Sequence, residues 1–426
     1  MTTGTAWQET TEVVAAQRRT LRVLSAAQIA GGIGFGAGLS VGILLAEDVT
    51  SSEGWAGVAR TSTTVGAAVL AVPLALAAIR WGRRWALGGG WALAAAGSVL
   101  LIIAAQAGRG PAATIALVVG MTASGAGSAT TLQTRYAAVD LAPPLHRSRQ
   151  LSLVVWATTI GSVLGPNLGE PGEAVGRWLG IAPMAGPFVI AAAVQLVAVA
   201  TISFLRPDPL QLAAVHDSAR RRDAAPARRR GSLRRSISLA WQIPAARLAL
   251  VSICAAHSVM VGVMTMTPVH MDHEGATITV VGLTISLHIL GMYGLSPLVG
   301  AAADRFGRPP VIAAGMVVLL LATAVAGTAG ASAVQVAVGL FLLGVGWSFC
   351  LVAASALLTE SVPAAARTEV QGASDAAMNI SAAIGAAASG PLLGVVGFGG
   401  LNALSAAIVL VAAPWVIAGL RRGRTA

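Results

Sequence analysis

A 426-residue chain that is 55% hydrophobic and 11% charged, with a mean hydropathy of +0.76, has too few polar side chains to present a water-facing surface. Those values exclude an ordinary soluble protein and put the chain in a bilayer. The formal net charge is +11 and all 28 basic residues are arginine, so the partner of that charge depends on where the arginines fall.

A helix needs about 20 apolar residues to cross about 30 Å of hydrocarbon. Twelve such runs are predicted along the chain. Residues 1–20 are polar and include Glu9 and Glu12, without the charged-then-apolar layout of a cleaved leader, so the first run, 22–46, is read as a permanent span. Runs at 58–79, 86–106, 113–138, 149–169 and 182–205 complete a first group of six. Residues 206–245 carry RRR twice and RR once, with Pro and Ala between and no sustained apolar period, and read as a cytoplasmic basic linker. Six more runs follow at 247–270, 278–300, 309–329, 333–357, 370–395 and 399–419, the last two parted by a short turn at 397–400. The expected architecture is all-α and integral to the membrane: a six-helix bundle over 1–205, the linker 206–245, and a second six-helix bundle over 246–426.

With both termini cytoplasmic, Arg18, Arg19, Arg22, Arg80, Arg83, Arg84, Arg147, Arg149, Arg305, Arg308, Arg367, Arg421, Arg422 and Arg424 all fall on one side. Arg60, Arg109 and Arg177 fall on the other, near Glu47, Asp48 and Glu53. This is the positive-inside asymmetry of a cytoplasmic-membrane protein, and it removes the need for a nucleic-acid partner. The linker arginines read as a solvated charge run, with anionic lipid as the alternative. Cys254 and Cys350 lie inside predicted spans, which argues against a disulfide.

The two halves repeat each other. DLAPPLHR places Asp140, Pro143 and Arg147 where ESVPAAAR places Glu360, Pro363 and Arg367, an offset of 220. The loop AIRWGRR at Ala78 to Arg84 answers ADRFGR at Ala303 to Arg308, an offset of 225. Two repeated six-helix halves with a substrate site between them is a transporter architecture. These residues resemble the major facilitator superfamily. The loop from Gly300 to Arg308, with Asp304 and Arg305, matches that family's motif after the second helix of a half, which the resemblance implies is a charge latch closing the cytoplasmic side. The first-half copy departs from it, with Ala75 for the glycine and Ile79 for the aspartate. GSVLGPNLG places Gly161, Gly165, Pro166 and Gly169 in a pattern seen in the family's antiporters, where glycines let helices approach and proline kinks the helix. Met121 stands where proton-coupled exporters commonly carry an arginine, which weighs against drug export.

The stretch HSVMVGVMTMTPVHMDHEG, from His257 to Gly275, concentrates methionine and histidine in a chain with ten and six of them. Met260 and Met264 stand four apart in the seventh span, and His288 and Met292 four apart in the eighth, so each pair shares a helix face. If the two spans run antiparallel, Met260 and His288 lie at similar depth. Three thioethers and one imidazole, with no carboxylate, form a donor set that selects Cu(I) over Zn(II), Mg(II) or Mn(II). Methionine is also a flexible apolar filler, but a histidine at membrane depth is a functional candidate by default. Met-xxx-Met and, 28 residues on, His-xxx-Met resemble the motifs of the CcoA-like copper importers, the CalT group of the superfamily. The resemblance implies copper uptake through Met260, Met264, His288 and Met292. Relatives of that group that lack the motifs are associated with riboflavin uptake.

His257 and Met266 lie on other faces of the seventh span, as reserve ligands or packing. His270, Met271, Asp272, His273 and Glu274 sit in the outward loop, as an ion-capturing cluster or a solvated turn. Asp375, inside the eleventh span, is the candidate for proton coupling, with a structural hydrogen bond as the alternative. No triad, phosphate loop or nucleotide motif occurs, so neither an enzyme nor an ATP-driven pump is expected, and no cofactor beyond copper as cargo. The expectation is a monomeric carrier in membrane lipid that takes up Cu(I) by alternating access. A proton-coupled exporter of small organic molecules and a riboflavin-type carrier are the other carrier readings. A copper sensor that does not transport is opposed by the repeated halves.

Overall fold

The computed structural model describes residues 7–51, 54–220 and 233–423. Among them the secondary structure is helical throughout, with no strand. The first half contains α1 (Thr11–Thr50), α2 (Gly54–Trp81), α3 (Arg83–Ala107), α4 (Pro111–Ala137), α5 (Arg147–Leu164), α6 (Gly169–Trp178) and α7 (Gly186–Ser203). The linker region forms α8 (Pro209–Arg220) and α9 (Leu233–Gln242). The second half contains α10 (Pro244–His273), α11 (Ile278–Ile289), α12 (Ser296–Phe306), α13 (Arg308–Gly327), α14 (Ala333–Ser361) and α15 (Arg367–Gly423).

Nine described helices are long and apolar enough to cross a membrane, or ten if α5 and α6, which meet at 62° across Pro166, form one span. Two features raise this to the expected twelve. Residues 23–46 of α1 carry no charge, and α15, at 57 residues, is long enough to cross twice. Its backbone leaves helical geometry at Gly397, inside the predicted turn. The expected linker is more ordered than its composition suggests, since α8 and α9 lie within it; residues 221–232, with the second RRR, and Arg424 and Glu53 lie outside the described residues. Asp208 explains the start of α8. Its Oδ1 accepts from the backbone N–H of Leu210 at 3.1 Å, and its Oδ2 accepts from that of Arg84 at 2.8 Å, so one carboxylate caps both α8 and α3.

Contacts divide the chain into two compact units that do not follow the sequence halves strictly. The first holds the residues up to Pro143, those from Ala157 through α8, and the short segment Gln371–Ala376 of α15. The second holds Pro144–Trp156, α9 through Val370, and the residues from Ala377 onward. Each sequence half thus lends a piece of helix to the other unit.

Within the first unit, small residues set the helix spacing. Gly161 of α5 and Gly165, just past its end, face the backbone of α1 at Gly32 and Gly36, where an added Cβ would lie 2.8 and 2.7 Å from the partner. Gly169 borders open space. Val41, Leu45, Leu101, Leu117, Met121 and Phe188 form an apolar core cluster. Met121 lies against Gly42 of α1, so an arginine at that position would have to enter an apolar contact. Within the second unit, α13 packs on α14, and α14 packs on both α10 and α11. Both cysteines lie here, Cys350 buried and Cys254 half-buried.

Candidate functional site

The eighth span is not one regular helix. Between α11 and α12 the chain makes a π turn over Leu290–Gly294, which carries Met292 and Tyr293. Such wide turns often mark functional sites. Here the turn lies where two backbones touch, because an added Cβ on Gly291 would strike the Phe341 carbonyl and one on Gly344 would strike the His288 carbonyl. Gly291 of the π turn and Gly344 of α14 therefore let the end of the α11 span and α14 meet with nothing between them.

That close approach fixes the imidazole of His288. Its Nδ1 lies 2.7 Å from the Leu340 carbonyl oxygen. A carbonyl only accepts, so Nδ1 carries the proton and donates, and Nε2 of the neutral ring keeps its lone pair. Nε2 is buried and has no hydrogen-bond partner among the described residues. A backbone carbonyl that holds the far nitrogen of a histidine is a common way to orient a metal-ligating imidazole.

Met260 and Met292 are buried, and Met264 and Met266 are half-buried. α10 and α11 touch each other far less than each touches α14, so the two motif helices share α14 as a wall. His257 is engaged with that wall: its Nδ1 accepts from Trp347 Nε1 at 2.9 Å, and Tyr293 meets the Trp347 ring edge-on at 5.6 Å. The residues His270 to His273, expected in the outward loop, instead form the last turn of α10, which runs on past the apolar stretch and is capped at Glu274. There His270 stacks on Phe398 at 4.1 Å, with Nε2 3.1 Å from the Gly330 carbonyl, whereas Asp272, His273 and Glu274 are exposed. Among the described residues no group of three or more His, Cys, Asp or Glu side chains is arranged to hold a metal ion, so a metal site here has to rest on thioether sulfur.

A second set of polar side chains lies in the repeated loops. In the second unit Asp304 accepts from the backbone N–H of Ser148 at 3.0 Å and of Arg149 at 2.9 Å, in the first turn of α5. Arg308 pairs with Asp304 at 3.1 Å and Glu360 at 2.8 Å, and donates to the Pro144 carbonyl at 2.8 Å. Gly300 sits directly over Ser148 and Ser152, with no room for a Cβ. Arg305 turns away from this group and lies over Phe306, 5.4 Å from its ring centre.

The first unit repeats part of this. Arg83 pairs with Asp140 at 2.8 Å, as Arg308 does with Glu360, and all four residues are related by the sequence repeat. Arg83 also donates to Gln371 at 2.9 Å, and Arg135 pairs with Asp375 at 2.5 Å. Asp375 is therefore an ion-pair partner and not a lone carboxylate. Arg135, Leu340 and Trp347 are not among the residues that the sequence singles out. For Arg135 a signal was present: it is an arginine inside the predicted span 113–138.

The Major Facilitator Superfamily model matches residues 23–277 and 248–425. The chain is 37% identical over 407 residues to the uncharacterized MFS-type transporter YddS of Bacillus subtilis, covering 95% of this chain and 92% of that one. It is 27% identical over 409 residues to the riboflavin transporter RfnT of Brucella anthropi, covering 94% and 96%. The crystal structure of the human organic anion transporter MFSD10 superposes with a TM-score of 0.72 at 16% identity, over 94% of this chain and 99% of that one.

Proposed function

Since the chain belongs to the major facilitator superfamily, a family of membrane transporters and not of enzymes, it is a multi-pass secondary transporter, and we propose that its cargo is Cu(I). The ligands in this reading are Met260, Met264, His288 and Met292, and transport runs inward by alternating access. The observation that carries the reading is His288: its Nδ1–H is spent on the Leu340 carbonyl, and its buried Nε2 lone pair is left without a partner. Met292, one turn on, and Met260 and Met264 of α10 supply the soft donors of this reading, which favour a monovalent ion, and neutral ligands let the ion leave again. Because α11 is locked to α14 at His288, the carrier closes the donor set by moving α10 along the shared wall of α14 toward α11.

The test is uptake of labelled copper into proteoliposomes, with and without reductant. Uptake that requires reductant supports Cu(I); no uptake in either condition removes copper as cargo.

A second reading is a flat organic molecule of the riboflavin kind. It is supported by the similarity to RfnT and by the cluster of Trp347, Tyr293 and His257, whose rings offer stacking faces and a polar edge. Riboflavin uptake by the same proteoliposomes, unaffected by loss of the methionine sulfurs, would favour it over copper.

A further inference from the structure

The first-half loop lacks the two residues on which the second-half latch depends. Ile79 stands at the repeat position of Asp304, and Ala75 at that of Gly300. An isoleucine cannot accept from a helix start, and an alanine cannot take the place of a glycine over which another helix lies flush. Even so, the segment Gln371–Ala376 packs in the first unit, just as Pro144–Trp156 packs in the second.

We propose that the Arg135–Asp375 pair, seated by Gly372 against Ala75, is a replacement latch that holds this segment, built with its chemistry reversed. In the second unit the acid, Asp304, sits on the loop helix α12 and grips the start of α5 through backbone N–H groups. In the first unit the acid, Asp375, sits on the held helix, and the cation sits on α4. The small residue has also changed sides. Gly300 lies over Ser152, whereas Gly372, the repeat counterpart of Ser152, lies over Ala75, the counterpart of Gly300. An added Cβ on Gly372 would collide with that of Ala75 and lie 3.1 Å from the Ala71 carbonyl.

Three further observations support the assignment. Arg135 is held rigidly by its own helix, donating to the Leu132 carbonyl at 2.9 Å and to the Tyr136 hydroxyl at 3.1 Å, so it is set in place for Asp375. Arg83 reaches Gln371, one turn before Asp375, and gives the segment a second grip on the same face. The counterparts of Arg135 and Asp375 in the other half are Ser355 and Val155, so the pair is an addition to this half and not an inherited part of the repeat. The two latches should also open differently. Asp304 releases backbone groups that water readily satisfies, whereas parting two fully buried charges requires water to reach both.

Hydrogen–deuterium exchange of the full-length protein in lipid nanodiscs tests this independently of the cargo. Asp375→Asn should raise exchange across residues 367–376 by about tenfold or more while leaving 147–156 unchanged, and Asp304→Asn should do the reverse. Reversing the pair, with Arg135→Asp and Asp375→Arg together, should restore protection lost in either single variant. Unchanged exchange at 367–376 in Asp375→Asn, or loss of protection spread equally over 147–156, would overturn the proposal. If Asp375→Asn does not fold, Asp375→Glu keeps the charge and lengthens the arm. It should loosen 367–376 alone, and no loosening there would again overturn the proposal.

Discussion

Trp347 donates its indole N–H to Nδ1 of His257 across 2.9 Å, from α14 to α10. The bond uses the ring nitrogen that faces the wall, so His257 is held as part of the scaffold and is not offered as a ligand on that side. Trp347→Phe keeps the ring contact with Tyr293 but strands the imidazole acceptor. The expected cost is about 1–3 kcal/mol of stability, read as a lower melting temperature, with copper uptake retained. Loss of uptake at unchanged stability would instead place the indole in contact with the cargo and favour the planar-organic reading.

Met264→Leu and Met292→Leu remove sulfur while keeping volume and apolarity, a change that cores tolerate at under about 1.5 kcal/mol. If these sulfurs bind the ion, uptake falls by more than the roughly 10- to 100-fold that loss of an outer-shell partner costs. Transport at the wild-type rate in both variants would show that the methionines are packing.

Thioether and imidazole donors without carboxylate should hold Ag(I) as well as Cu(I) and should discriminate against Zn(II) and Mn(II). Silver is therefore expected to compete with copper uptake at comparable concentration, and zinc not to compete even in large excess. The opposite ranking would move the entry site to the exposed Asp272, His273 and Glu274.

Gly372→Ala is expected to destabilise the packing of α15 on α2, because the new methyl group meets the Ala75 methyl and the Ala71 carbonyl. Ala75→Gly made in the same chain removes the first collision and should recover most of the loss. The measurement is a pair of melting curves, and the diagnostic quantity is the non-additivity of the two substitutions. Strictly additive effects would show that the two residues do not share a contact.

Much of the fold is legible in the sequence because the length of an apolar run is a strong signal. The spans, the two-half repeat and the turn at Gly397 are all readable from residue type and spacing. His288 and Asp375 stand out because a titratable group inside an apolar run is expensive. Their partners do not stand out. Leu340 contributes a backbone carbonyl, which every residue has, and it comes 52 residues after His288. Gly372 means nothing until Ala75 is known to lie beneath it. The shared wall of α14 is not readable for the same reason: spacing along one helix says which residues share a side, but not which neighbour that side meets.

The π turn at Leu290–Gly294 has a consequence for how this span tolerates insertions and deletions. A π turn is the trace of one residue too many in a helix whose two ends are both committed. Deleting a residue there would let the helix run straight, but it would rotate one end relative to the other by about 100°. Either His288 would leave Leu340, or Gly300 and Asp304 would leave α5. The surplus residue keeps two incompatible phases in one rod, so the half keyed to α14 and the half keyed to α5 can each be adjusted without turning the other.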